Sequence, residues 1–200
     1  MMLHGCMELA DEHSGLTILQ RVICSADEHM VDLLVNVLNT DLENHGNTTG
    51  WTSLWLACAT GQSSILQKLL AKGANVQCRD DTTGFTAFHL LACFSQASDV
   101  DQCVQELAMR MDAIGWMKKT SERCLTPLHM AFVTSGSPNA HACKFLLNSG
   151  ADPTAHAEYG SQSITPISQC AARLDPLLLK EMLDCHYLSC SHDLNISKKK

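Results

Sequence analysis

The sequence predicts an all-α solenoid of stacked helix–turn–helix units with hairpin loops, and three observations predict it. An opening recurs: Thr17, Thr52, Thr86, Thr126 and Thr165 each stand two residues before an apolar side chain, Leu19, Leu54, Phe88, Leu128 and Ile167. The copies are phased, with intervals of 35, 34, 40 and 39 residues between successive threonines. The clearer copies also close alike: Ile65 and Leu69-Leu70 run into Gly73-Ala74, and Phe145 with Leu146-Leu147 runs into Gly150-Ala151. One period therefore holds two apolar helical stripes and a turn. A single unit cannot bury both stripes, so stacking on neighbours completes the core.

Each element has a local reason. A threonine at a helix start caps free backbone N–H groups, and Pro127 and Pro166 follow it at the first helical position, where a missing N–H costs nothing. Ala57, Leu91, Ala131 and Cys170 continue the stripe begun at Leu54, Phe88, Leu128 and Ile167, and the small residues among them let helices approach closely. Gly73 and Gly150 suit the left-handed turn that ends the second helix. Residues 14–46 keep the stripes (Leu16, Leu19, Val22, Ile23, then Val31, Leu34, Val35, Leu38) and carry Asp27, Glu28 and Asp32 outside them, which predicts a polar N-terminal cap.

The third unit has a polar excess between Cys93 and Val104, and the fourth has Ser135-Gly136-Ser137-Pro138-Asn139 between its helices; both predict a few extra surface-loop residues. Between Arg110 and Glu122 no Gly-Ala turn stands, and Met111 to Met117 reads as packed apolar chain, with Trp116 as an alternative partner contact. Residues 176–183 make the last outer helix. The expected division is an extension over 1–13, a repeat domain over 14–188 (units at 14–48, 49–82, 83–122, 123–161 and 162–188) and a polar tail over 189–200.

Composition narrows the function classes. With 46% apolar residues in 200, the chain can bury one continuous core. No apolar run reaches the 18 or so residues a membrane span needs, and the first residues lack the basic start and long apolar stretch of a signal peptide. Eleven cysteines at irregular spacings read as reduced core residues rather than a secreted disulfide framework. An intracellular protein, in cytoplasm or nucleus and not secreted, is expected. Residues 1–110 hold 13 acidic and 5 basic side chains, whereas residues 111–200 hold 8 and 9. The acidic first part disfavours nucleic acid and predicts a partner with a basic surface.

Gly50 to Asp80 resembles a nearly complete ankyrin repeat, and Thr126-Pro127-Leu128-His129-Met130-Ala131 is similar to that family's T-P-L-H-x-A signature without a mismatch. The resemblance covers roughly residues 14–188. It implies that His89 and His129, at the fourth signature position, make structural hydrogen bonds to neighbouring turns, and that Trp55 fills the same position in the second unit. It also implies a concave binding face, carried by residues four, three and one before each threonine and seven and eight after it. These are Thr48, Thr49, Trp51, Ala59 and Thr60; Thr82, Thr83, Phe85, Cys93 and Phe94; Glu122, Arg123, Leu125, Val133 and Thr134. The fifth unit adds Ser161, Gln162, Ile164, Ala172 and Arg173. Trp51, Phe85 and Phe94 come from adjacent units and are either an aromatic ridge for a partner or packing between hairpins.

Catalytic and metal readings are weaker. His141 and Cys143 lie two apart, on different faces of one helix. Cys185, His186, Cys190 and His192 match no usual zinc spacing, and no phosphate loop, nucleophile elbow or zincin motif occurs. No catalytic residue, metal or cofactor is therefore expected. The expected function is a non-catalytic protein-binding module or adaptor, monomeric by itself and without nucleic-acid or membrane partners. The alternative is a substrate-targeting segment of a larger enzyme or ubiquitin-ligase assembly.

Overall fold

A threonine hydroxyl closes the first turn of the inner helices. Thr17, Thr52, Thr126 and Thr165 accept from the backbone N–H three residues on, and Pro127 and Pro166 occupy the first helical positions. The computed structural model describes residues 14–44, 50–80, 83–94, 100–110, 123–132, 140–173 and 175–184. Its helices are α1 (Ile18–Cys24), α2 (Glu28–Asp32, prolonged by a π-helical turn, Leu33–Val37), α3 (Ser53–Thr60), α4 (Ser63–Ala71), α5 (Ala87–Phe94) and α6 (Val100–Ala108). They continue with α7 (Pro127–Met130), α8 (Ala140–Asn148), α9 (Pro166–Ala172) and a last helix, α10, over 176–184. Two short strands, β1 (Ala157–Tyr159) and β2 (Gln162–Ile164), form an antiparallel hairpin that pairs Ala157 with Ile164.

The helices stand in two columns. The inner one runs α1, α3, α5, α7, α9 and the outer one α2, α4, α6, α8, each helix packing on the next, while each of the first four units also packs its own inner helix on its outer one. Lys144 and Glu181, at 2.9 Å, tie α8 to α10 at the far end. The core lies between the columns. Leu54, Ala57, Phe88, Leu91, Leu128, Ala131 and Cys170 from the inner helices and Ile65, Leu69, Leu70, Leu146 and Leu147 from the outer ones are all buried, as the stripes predict.

Closing turns follow the glycine positions. Gly73 and Gly150 both have φ of +90°, and a Cβ built on Gly73 would meet nothing within 4 Å, so the turn demands glycine for its backbone and not for space. After its two helices the first unit turns without glycine: Ala26 (φ 57°) stands where Gly61 (φ 68°) stands in the second, and Asn39 (φ 48°) replaces Gly73. Asn39 lies 22 residues after Thr17, whereas Gly73 lies 21 after Thr52. The extra residue is absorbed by the π turn, whose Leu38 N–H reaches the Leu33 carbonyl at 3.1 Å. That insertion explains why the first interval is one residue longer than the second.

The expected polar cap is not what the first unit presents. Glu28 and Asp32 point along the stack to Lys68 of the second unit, at 3.2 and 2.8 Å, and Glu28 also accepts from Ser64 Oγ. The outward side instead exposes Ile18, Leu33 and Val37. Two of the acidic residues here neutralise a neighbour's lysine, and apolar side chains stand exposed beside Arg21 and Ser25. The loops over 95–99 and 133–139, the 111–121 segment with Trp116, and the Cys185–His192 cluster lie outside the described residues.

Candidate protein-binding face

The fourth residue of each opening links one unit to the next. His89 is fully buried; its Nδ1 meets Thr86 N and Oγ1 at 3.1 and 2.9 Å, and its Nε2 meets the Leu125 carbonyl oxygen at 3.2 Å. Burial first of all pulls its pKa down from 6.5 to about 4, so the ring stays neutral at physiological pH. His129 repeats the local geometry, with Nδ1 at 3.2 and 2.8 Å from Thr126 N and Oγ1.

In the first unit Gln20 takes the same place. Its Oε1 accepts from Thr17 N at 2.9 Å, and its Nε2 donates to the Trp51 carbonyl at 2.6 Å and the Asn44 carbonyl at 3.3 Å. Sequence reading assigned Gln20 no role, although its offset of three from Thr17 marks it as the counterpart of His89. Ser168 holds that position in the fifth unit and, among the described residues, bonds within its own turn.

Long polar side chains add further ties. Gln62 Nε2 donates to the Ile23 carbonyl at 3.0 Å, Arg110 Nη1 to Leu70 at 3.0 Å and Arg173 Nη2 to Phe132 at 2.6 Å. Each reaches a carbonyl near the end of a neighbouring unit's helix. The Glu158 N–H, on β1, donates to the Arg123 carbonyl at 3.1 Å and joins the last hairpin to the loop before α7. These bonds tie successive units together at their helix ends and loops.

The predicted face divides by accessibility. Thr60 and Arg123 are exposed, and Trp51, Ala59, Thr83 and Phe85 are half-buried. Cys93 and Leu125 are buried, at 5% and 4% exposure, and offer a partner no side-chain surface in this conformation. Thr48, Thr49, Thr82, Glu122, Val133 and Thr134 lie outside the described residues, as does the side chain of Phe94. In the fifth unit Ser161, Gln162 and Ala172 are exposed and Ile164 and Arg173 half-buried.

The aromatic pair has a double character. Trp51 and Phe85 both pack against the core, and Phe85 stacks on His89 with ring centroids 5.5 Å apart. Leu16 and Ile164, at the same step before their threonines, also pack on the core from half-buried positions. A row that is apolar in every unit is a structural seam. Its distinguishing feature is size: only the second and third units present aromatic rings there. Thr83 steadies the adjoining turn through bonds to the Asp80 carboxylate, one from its N–H at 2.6 Å and one from its hydroxyl.

The candidate catalytic groups have other roles. The thiols of Cys58, Cys93, Cys143 and Cys170 are all raised by burial, which keeps them protonated and unreactive. His89 spends both ring nitrogens on the backbone and on Thr86. Among the described residues, no three His, Cys, Asp or Glu converge on a metal position. No helix among them is long and apolar enough to cross a membrane.

Comparison with known proteins agrees with this architecture. The family model described as ankyrin repeats (3 copies) matches residues 2–80 and 54–157. A human protein, BCL-6 corepressor-like protein 1, is 38% identical over 72 residues, which are 35% of this chain and 4% of that protein. The similarity thus spans a small part of a much longer relative.

Proposed function

Because the chain belongs to the ankyrin-repeat family, whose repeats mediate protein–protein interaction, we propose that it is a non-catalytic adaptor that holds a partner protein on its concave face. One observation carries the reading: Trp51, Thr60, Phe85 and Arg123 come from consecutive units and keep accessible surface, while the buried Gln20 and His89 are committed to links between units. Aromatic rings on a rigid scaffold, flanked by a small hydroxyl and a guanidinium, form the kind of anchor that dominates interfaces. Within this reading residues 14–188 are the binding domain, a monomer by itself, and the acidic first part favours a basic partner surface. Nucleic acid and membrane are not partners. A location in cytoplasm or nucleus is supported by the corepressor-like name of the human relative.

A second reading has its own support. The chain aligns with 4% of its human relative, so a segment of this kind occurs inside a much larger protein. That favours the alternative of a substrate-targeting segment whose chemistry is supplied elsewhere in an enzyme or ubiquitin-ligase assembly.

Affinity capture from cell extract tests the face. Thr60→Arg and Arg123→Glu change exposed residues and leave the core alone, and Lys144→Glu on the outer column serves as the control. The reading requires a partner held by wild type and the control and lost from both concave variants. A partner indifferent to the concave changes, or one lost only with Lys144→Glu, overturns it. A Trp51→Ala/Phe85→Ala/Phe94→Ala chain, checked for helicity by circular dichroism, then separates anchor from seam.

A further inference from the structure

The exposed apolar side of the first unit is the side that every later unit buries. The residue after the capping threonine is fully buried as Ser53 and Ala87 and buried as Pro127 and Pro166, because a preceding inner helix lies on it. In the first unit the same position is Ile18, 37% exposed. The outer helix repeats the contrast. Lys68, sixteen residues after Thr52, reaches back to Glu28 and Asp32 of the preceding unit. Its counterpart, sixteen after Thr17, is Leu33, 39% exposed, and Val37 one turn on is 69% exposed. On the inner helix Ile18, Arg21, Val22 and Ser25 line a groove of about 350 Å³.

We propose that this face is covered by the chain's own residues 1–13, which act as its end cap. The segment joins the array at Ser14, four residues before Ile18, so it starts at the face. Met2, Leu3, Cys6, Met7, Leu9 and Ala10 recur at three- and four-residue steps, the spacing of one helical stripe, while Glu8 and Asp11 fall between and after them. Nine helical residues span about 14 Å, enough to cross two helices packed about 8–10 Å apart. The family match begins at residue 2, inside this segment, which supports counting it with the array. The occupant supplies apolar surface where the first unit exposes Ile18, Leu33 and Val37, in place of the polar cap that the acidic residues suggested.

Photo-crosslinking in the full chain tests the placement. With Met7 replaced by benzoylphenylalanine, irradiation should give a crosslink within one copy, mapped by mass spectrometry to residues 18–25 or 30–38. Leu33→Asp with Val37→Asp should abolish it while the circular dichroism spectrum is unchanged, since both side chains are exposed. Crosslinks only between copies would assign the face to a second chain and overturn the proposal. Crosslinks confined to residues 50–184, or none at all, overturn it too, and the single replacement decides this even if the double variant unfolds.

Discussion

Two junctions of the stack solve one problem differently. Between the third and fourth units His89 spans the gap and meets the Leu125 carbonyl, as Gln20 meets the Trp51 carbonyl between the first and second. Between the second and third units the same position is Trp55, 2% exposed, whose Nε1 has no hydrogen-bond partner among the described residues. Leaving a buried N–H unpaired costs about 1–3 kcal/mol. A buried tryptophan removes roughly 150–250 Å² from water, worth about 4–6 kcal/mol at 25 cal/mol per Å². Packing outweighs the missing bond there. The array is thus held by directional links where the side chain is small and by apolar volume where it is large.

The largest effect is expected where volume carries the junction. Trp55→Ala leaves a cavity between α3 and its neighbours and should lower unfolding free energy by about 3–5 kcal/mol, read from urea denaturation. A loss below 1 kcal/mol would show that the second junction is held by something other than Trp55.

Next comes pH, which should act on the His89 junction and not on the one filled by Trp55. His89 has a folded pKa of about 4 against 6.5 unfolded, so protons bind the unfolded chain first. Its contribution is complete above pH 6.5 and is lost as pH falls from there to about 4, by at most roughly 3 kcal/mol. His89→Gln should flatten that part of the profile, because Gln20 shows that an amide makes the same bridge without titrating. An unchanged profile in thermal melts over pH 4 to 7 would mean that other groups govern the acid sensitivity.

A smaller change puts the two solutions in competition at one site. Trp55→His supplies a ring nitrogen that could reach the Phe85 carbonyl, worth about 0.5–1.5 kcal/mol, but gives up apolar area and opens space. The balance should be a net loss of roughly 1–2 kcal/mol in denaturant titration. A gain would show that the link matters more than the volume.

What the sequence made legible was whatever is encoded within a few residues. The caps at Thr17, Thr52, Thr126 and Thr165, the prolines after two of them and the glycine turns were all readable, because each bond closes within three or four positions. The bridge from Gln20 was not, since its acceptor lies 31 residues away and only the stacked geometry brings the two together. Counting from the threonines placed Cys93 and Leu125 on the binding edge, yet neighbours cover both, and counting locates backbone without saying what lies over it. The charges of the first unit were readable in number but not in direction, which is why the polar cap proved to be a bridge to Lys68. The π turn showed itself only as an interval of 35 in place of 34.

The smallest effect concerns the residue that leads into the His89 bridge. Two positions before the capping threonine the first three units carry Gly15, Gly50 and Gly84, with φ of 66°, 65° and 74°. The fourth carries Cys124 in the same left-handed region, at φ 53°. A side chain there costs about 1–2 kcal/mol, against which glycine's greater freedom in the unfolded chain takes back about 0.5–1 kcal/mol. Cys124→Gly should therefore stabilise the protein by roughly 0.5–1 kcal/mol, raising the melting temperature by a few degrees. The side chain is exposed, so no packing is lost by removing it. If the variant melts lower instead, the thiol makes a contact that offsets the strain, and the third junction depends on more than the histidine that spans it.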